Sequence, residues 1–159
     1  MNNGWALLNE SPVCIDELKK ICSSLNYETT FNRLFRAGVP KDLNTRICDY
    51  YDLDLHVGIY KTPPGWRYKF HTDNTRNCAI NQLLTEQRSE YTGQMIIDGV
   101  THDIPYSMDV PCLINTALPH NVQNNSIAYT RYLLNIHVYN FITFDIVKTH
   151  LINKGLITI

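Results

Sequence analysis

"DLDLHVGIY" (Asp52–Tyr60) alternates without a break. Leu53, Leu55, Val57 and Ile59 fall on one parity; Asp54, His56, Gly58 and Tyr60 fall on the other. Successive side chains of a strand project to opposite faces, so the stretch is a strand with one apolar face. "KTPPG" (61–65) ends it with two prolines and a glycine. Further extended runs follow: "WRYKFHTD", "NCAINQLL", "GQMIIDGVTHDI", "DVPCLINTALPH" and "RYLLNIHVYN". Asp98-Gly99 between two such runs signals a two-residue hairpin, and "NVQNNS" (121–126) reads as a turn.

Ahead of this region, "SPVCIDELKKICSSL" reads as a helix capped by Ser11 with Pro12 at its first position. "TTFNRLFRAGVP" reads as a second short helix, stopped by Gly38 and Pro40. The tail "ITFDIVKTHLINKG" is helical up to Gly155. The expected organisation is one domain over 1–159: N-terminal helices over 11–38, a β core over about 52–140 and a C-terminal helix over about 141–154. The predicted fold is mainly β with flanking helices. Short strands at regular spacing, with edges to be covered, favour a double-sheet jelly-roll or barrel core.

The chain has 159 residues, 44% of them hydrophobic, with 14 basic against 15 acidic side chains. It shows no basic run or excess of positive charge, which argues against nucleic acid as a partner. No apolar stretch approaches a membrane span, and "MNNGWALLNE" lacks a basic leader. The five cysteines are odd in number and contain no CxxC pair, so a disulfide framework and a cysteine zinc site are both disfavoured. Reduced thiols place the expected location in the cytoplasm.

"KFHTDNTR" (69–76) sets His71 and Asp73 two apart. On extended chain their side chains share a face. Alone, the pair can equally be a polar turn. His120, at the end of an apolar run in "LPHNV", supplies a third candidate. Two histidines and one carboxylate form the facial set that suits Fe(II) and leaves coordination positions open. Arg131 opens the last strand and can hold a carboxylate at two points. Facing sheets stand about 10 Å apart, so a five-carbon diacid can chelate a metal at one end and reach such an arginine with the other. 2-Oxoglutarate has that geometry.

"HTD", "PHNV" and Arg131 together resemble the HxD…H…R signature of Fe(II)/2-oxoglutarate-dependent oxygenases. The segment "LINTALPHNVQNNSIAYTRYLLNIHV" is similar to the aspartyl/asparaginyl β-hydroxylase-like branch. The resemblance spans roughly 53–140. It implies a double-stranded β-helix (jelly-roll, cupin-like) with His71, Asp73 and His120 as iron ligands and Arg131 as the cosubstrate anchor. It also implies decarboxylation of 2-oxoglutarate to succinate and CO2, coupled through O2 to hydroxylation of an unactivated C–H bond, with ascorbate as a stimulant. The expected substrate is a free amino acid or a peptide or protein side chain.

Other polar residues remain open. Arg76 competes with Arg131 for the distal carboxylate or, with Arg67, faces an acidic substrate. His56 and Tyr60 share the polar parity of their strand and can touch cosubstrate or substrate, or simply be exposed. Asn81 and Asn115 can hydrogen-bond within a cavity. Trp66 reads as lid or core, His137 as a core histidine, and His102 and His150 as surface residues. Two other functions suit the same residues: a non-catalytic cupin-like metal- or small-ligand-binding module, and a zinc hydrolase.

Overall fold

The computed structural model describes residues 4–30, 34–139 and 142–158. Eleven strands and three helices occur among them: β1 (Trp5–Leu7), α1 (Ile15–Ser24), β2 (Glu28–Thr29), β3 (Phe35–Gly38), α2 (Lys41–Tyr51), β4 (Leu55–Thr62), β5 (Arg67–His71), β6 (Cys78–Leu83), β7 (Tyr91–Ile97), β8 (Val100–Asp103), β9 (Cys112–Asn115), β10 (His120–Asn124), β11 (Arg131–Val138) and α3 (Phe144–Asn153). The strands form a major sheet in the order β1-β9-β6-β11-β4-β3-β2 and a minor sheet in the order β5-β10-β7-β8. Every pairing is antiparallel.

The alternation that opens the sequence analysis builds the larger core. Leu55, Val57 and Ile59 are buried on one face of β4, beside Leu134, Ile136 and Val138 of β11. That face packs on the helices: Leu18 and Cys22 of α1, Leu43, Ile47 and Tyr51 of α2, and Val147 and Leu151 of α3 all join the same cluster. Each fully buried aliphatic side chain of this kind contributes about 1.5–3 kcal/mol. The opposite face of the major sheet turns toward the minor sheet. There Ala79, Leu83, Cys112, Ile114 and Leu133 meet Tyr91, Met95 and Tyr106. The two sheets thus enclose a second core, and the functional residues lie at its open end.

Several local expectations need correction. The segment expected as a second helix is extended instead. Glu28–Thr29 pairs with Phe35–Arg36, and β3 then pairs with β4; residues 31–33 of that segment lie outside the described residues. The helix starts one step later, after Pro40, with Leu43, Ile47 and Tyr51 forming its buried stripe. A proline suits the entry to a helix, and pairing with β4 overrides the helical periodicity before it. Ser11 does not cap α1, which begins at Ile15 without a side-chain cap; its hydroxyl donates to Gln82 Oε1 at 2.7 Å. Asn121–Asn124 belongs to β10 and is not a turn. The Asp98-Gly99 hairpin is present, with φ of 51° and 80° at the two residues, as a primed two-residue turn requires. Among the described residues no helix is long and apolar enough to cross a membrane.

Candidate metal centre and adjoining cavity

β5 and β10 are antiparallel neighbours, and their register sets His71 directly opposite His120. The ladder is irregular between His120 and Val122, a local kink that re-aims a side chain. The two imidazole rings lie 4.4 Å apart, centroid to centroid. Asp73 follows just beyond β5. Its backbone N–H donates to the Thr116 carbonyl at 3.0 Å, which pins the loop after β5 to the turn before β10.

His71 and His120 share one local device. The Nδ1 atom of His71 lies 3.0 Å from the carbonyl of Lys69, and that of His120 lies 3.0 Å from the carbonyl of Leu118. A carbonyl only accepts, so each Nδ1 carries the proton and each Nε2 keeps a free lone pair. Asp73 Oδ1 is 3.7 Å from His71 Nε2 and 4.0 Å from His120 Nε2. Two atoms each about 2.1 Å from one ion stand up to about 4.2 Å apart, so these separations suit a shared metal. Burial holds the His120 pKa below the ordinary imidazole value, which keeps it in the neutral form that a metal requires.

The second oxygen of Asp73 is also held. Arg76 Nε donates to Oδ2 at 2.6 Å, and Arg76 Nη1 donates to Asn135 Oδ1 at 3.1 Å. Asn135 then donates to Asn81 Oδ1, and Asn81 Nδ2 donates to the Tyr106 hydroxyl at 3.1 Å. A buried polar chain therefore runs from the carboxylate into the cavity between the sheets. Arg76, an alternative cosubstrate anchor on sequence grounds, thus gives its Nε and Nη1 to Asp73 and Asn135. Arg67 is exposed on β5 and lines neither cavity described here.

Arg131 enters from the opposite sheet. It is 1% exposed, and among the described residues its Nε and Nη1 have no hydrogen-bond partner. The guanidinium carbon lies 5.2 Å from the centroid of the Tyr106 ring. Tyr106 sits that deep because Gly93 has no side chain; a Cβ there would come within 2.5 Å of the Tyr106 ring. Burial lowers the Arg131 pKa, and among the described residues no carboxylate offsets it. Arg131, Thr62, Tyr106, His71, Asp73 and His120 line one cavity of about 140 Å³. Pockets for drug-sized ligands run to about 300–1,000 Å³, so this one suits a molecule smaller than those.

Tyr60, Asn81 and Trp66 also line this cavity; Trp66 stacks on Tyr68, whose ring meets His71 edge-on. His56 does not. It lines a separate depression on the far side of His137, because alternation along β4 sets only its parity, not its distance from the centre. Asn115 is half-buried outside the cavity, where its side chain accepts from the Ala117 N–H. His102 is exposed beside Trp5, whereas His150 is half-buried, its Nε2 2.8 Å from the Tyr51 carbonyl. The sequence reading missed Tyr106, Thr62 and Asn135. Asn135 shares parity with Arg131 and was legible on that ground; Tyr106, after Pro105 in irregular chain, offered no periodic signal.

His137 lines an open groove beside the centre. Burial, with Arg76, Arg36 and His56 nearby, pushes its pKa down to about 2. Below its unfolded value of about 6.5 the unfolded chain binds a proton that the folded chain refuses. Stability is therefore fully present above about pH 6.5 and falls as pH drops toward about 2, by about 1.4 kcal/mol per unit from this residue. Urea unfolding at about pH 6 and about pH 5 checks this: the slope across that unit should be shallower in His137→Gln than in the wild type by about 1.4 kcal/mol.

No family profile and no curated protein sequence matches the chain. Solved structures do. A prolyl hydroxylase from Trichoplax adhaerens, in complex with a hypoxia inducible factor oxygen degradation domain peptide fragment, superposes with a TM-score of 0.66 at 14% identity, over 87% of this chain and 84% of that one. HygX from Streptomyces hygroscopicus, with nickel and 2-oxoglutarate bound, gives a TM-score of 0.62 at 10% identity, over 88% and 84%. A 2OG-Fe(II) oxygenase family oxidoreductase from Burkholderia pseudomallei gives 0.60 at 10% identity, over 81% and 79%. With its two antiparallel sheets and the placement of their connections, this chain has the double-stranded β-helix fold of the 2-oxoglutarate/Fe(II) oxygenases.

Proposed function

We propose that this chain is an Fe(II)- and 2-oxoglutarate-dependent oxygenase that hydroxylates an unactivated C–H bond. One observation carries the reading: a buried Arg131, with no partner among the described residues at Nε or Nη1, faces the His71, Asp73 and His120 cluster across one small cavity. A buried cation without a counter-ion is costly, and a bound diacid removes that cost. His71, Asp73 and His120 would hold the metal, and Arg131 would take the distal carboxylate of 2-oxoglutarate. Bound iron supplies the redox chemistry that couples loss of CO2 to hydroxylation.

The remaining tasks belong to the chain itself. The Lys69 and Leu118 carbonyls keep both Nε2 lone pairs turned to the metal position. Arg76 engages Oδ2 of Asp73 and leaves Oδ1 facing the two histidines. Ile114, Val122 and Leu133 line the cavity and keep water from it. The likeness around His120 to the aspartyl/asparaginyl branch supports an amino acid or a peptide side chain as substrate. A cupin-like binding module would leave Arg131 without a counter-ion, so the oxygenase reading is preferred.

The test is anaerobic addition of Fe(II), then 2-oxoglutarate, followed by visible absorption. A weak charge-transfer band is expected, with succinate released once air is admitted. Iron bound to folded protein with no band on adding 2-oxoglutarate would overturn the reading.

A further inference from the structure

The deep cavity opens into a groove of about 580 Å³. Tyr60, Tyr68, His71, Asp73 and Arg76 border both, so a molecule lying in the groove adjoins the metal position. The groove has a distinct electrostatic character. Among the described residues, its only acidic side chain is Asp73, which Arg76 already engages.

Arg36 lies on the wall of this groove. The register of β3, β4 and β11 sets Arg36 opposite Tyr60, and Tyr60 opposite Leu133. Directly opposed residues project to the same face, so Arg36 belongs to the face that carries Arg131, Asn135 and His137. Its guanidinium carbon is 5.8 Å from the Tyr60 ring centroid. Among the described residues no carboxylate forms an ion pair with it. Glu28 stands opposite it in the β2–β3 register, yet is exposed and makes no such pair. Next to it, the Tyr60 hydroxyl lies 3.5 Å from His137 Nε2. This part of the wall thus brings together the Arg36 guanidinium, the Tyr60 hydroxyl and the His137 imidazole.

We propose that the substrate carries a carboxylate and that Arg36 receives it, with the Tyr60 hydroxyl and the His137 imidazole beside it as further hydrogen-bonding groups. This rests on the oxygenase reading of the same centre and names its substrate class. One free guanidinium matches a single negative charge, and its planar fork fits two carboxylate oxygens. The seat is separate from that of the cosubstrate, whose carboxylate would lie on Arg131. Arg36 therefore sets specificity, selecting acids over their esters and orienting the remainder of the molecule toward the metal position.

The experiment follows the Arg36 Nε–H resonance in a 15N-edited spectrum. The probes are the common amino acids and simple aliphatic acids, each as the free acid and as its methyl ester, added to the metal-loaded protein with 2-oxoglutarate present. At least one free acid is expected to shift that resonance and raise succinate release. Its ester should bind at least about tenfold more weakly, the loss expected for a charged hydrogen bond. Arg36→Gln, with its folding checked by circular dichroism, should lose the response to the same acid, and Arg36→Lys should keep part of it. An ester as effective as its acid, no acid moving the resonance, or Arg36→Gln responding like the wild type would each overturn the proposal. The Fe(II)–2-oxoglutarate band is scored separately: its absence overturns the oxygenase reading, while the Arg36 resonance still reports whether the acid seat exists.

Discussion

His120→Ala is expected to weaken Fe(II) binding by more than about 100-fold, since the outer partner of a ligand alone is worth about 10–100-fold. His120 is 4% exposed and its Nδ1 is fixed on the Leu118 carbonyl. Its Nε2 is therefore a preorganised donor whose removal leaves two ligands. Arg76→Met provides the graded comparison. It removes no ligand, but it frees Asp73 Oδ2 from its 2.6 Å partner, so a loss of about 10–100-fold is expected. Anaerobic calorimetry on both variants, with circular dichroism to confirm folding, measures the two effects. An unchanged affinity in His120→Ala would remove this residue from the ligand set. Equal losses in the two variants would mean that Arg76 does more than orient Asp73.

Arg131→Met is expected to move two quantities in opposite directions. Affinity for 2-oxoglutarate should fall roughly 30- to 4,000-fold, the equivalent of about 2–5 kcal/mol for truncating one partner of a buried charge pair. The ligand-free protein should become more stable by about 1–4 kcal/mol, because replacing buried charge with a packed apolar side chain relieves desolvation. The stability gain follows from the two guanidinium nitrogens that have no partner in the cavity. Thermal melts with and without 2-oxoglutarate separate the effects. The wild type should be stabilised by the ligand in proportion to its saturation; the variant should start higher and respond little. A variant that melts lower without ligand would show that Arg131 is a structural residue.

Strand parity is legible in the sequence because it is local. Alternation along 52–60 and 131–138 sets which side chains share a face, whatever the rest of the chain does. That is why Arg131, with Asn135 and His137, turns to the enclosed side while Leu134 and Ile136 pack under the helices. It failed where pairing competed with propensity. Phe35–Gly38 carries a helix-like pattern, but its backbone pairs with β4, and pairing partners are not visible in a local window. The same failure hid Arg36, which drew no attention while its segment was read as a helix.

The candidate site was legible in one dimension as residue types: two histidines, an aspartate and an arginine at spacings that β structure brings together. What each group is free to do was not. Arg76 and Arg131 are both arginines near the same centre. Only the folded chain gives Arg76 a carboxylate and an amide and leaves Arg131 without partners at Nε and Nη1. Sequence determines side-chain identity and, through strand alternation, facing. Hydrogen-bond partnership and burial arise between strands far apart in the chain, so the tertiary structure alone decides which charges are satisfied and which are left without partners among the described residues.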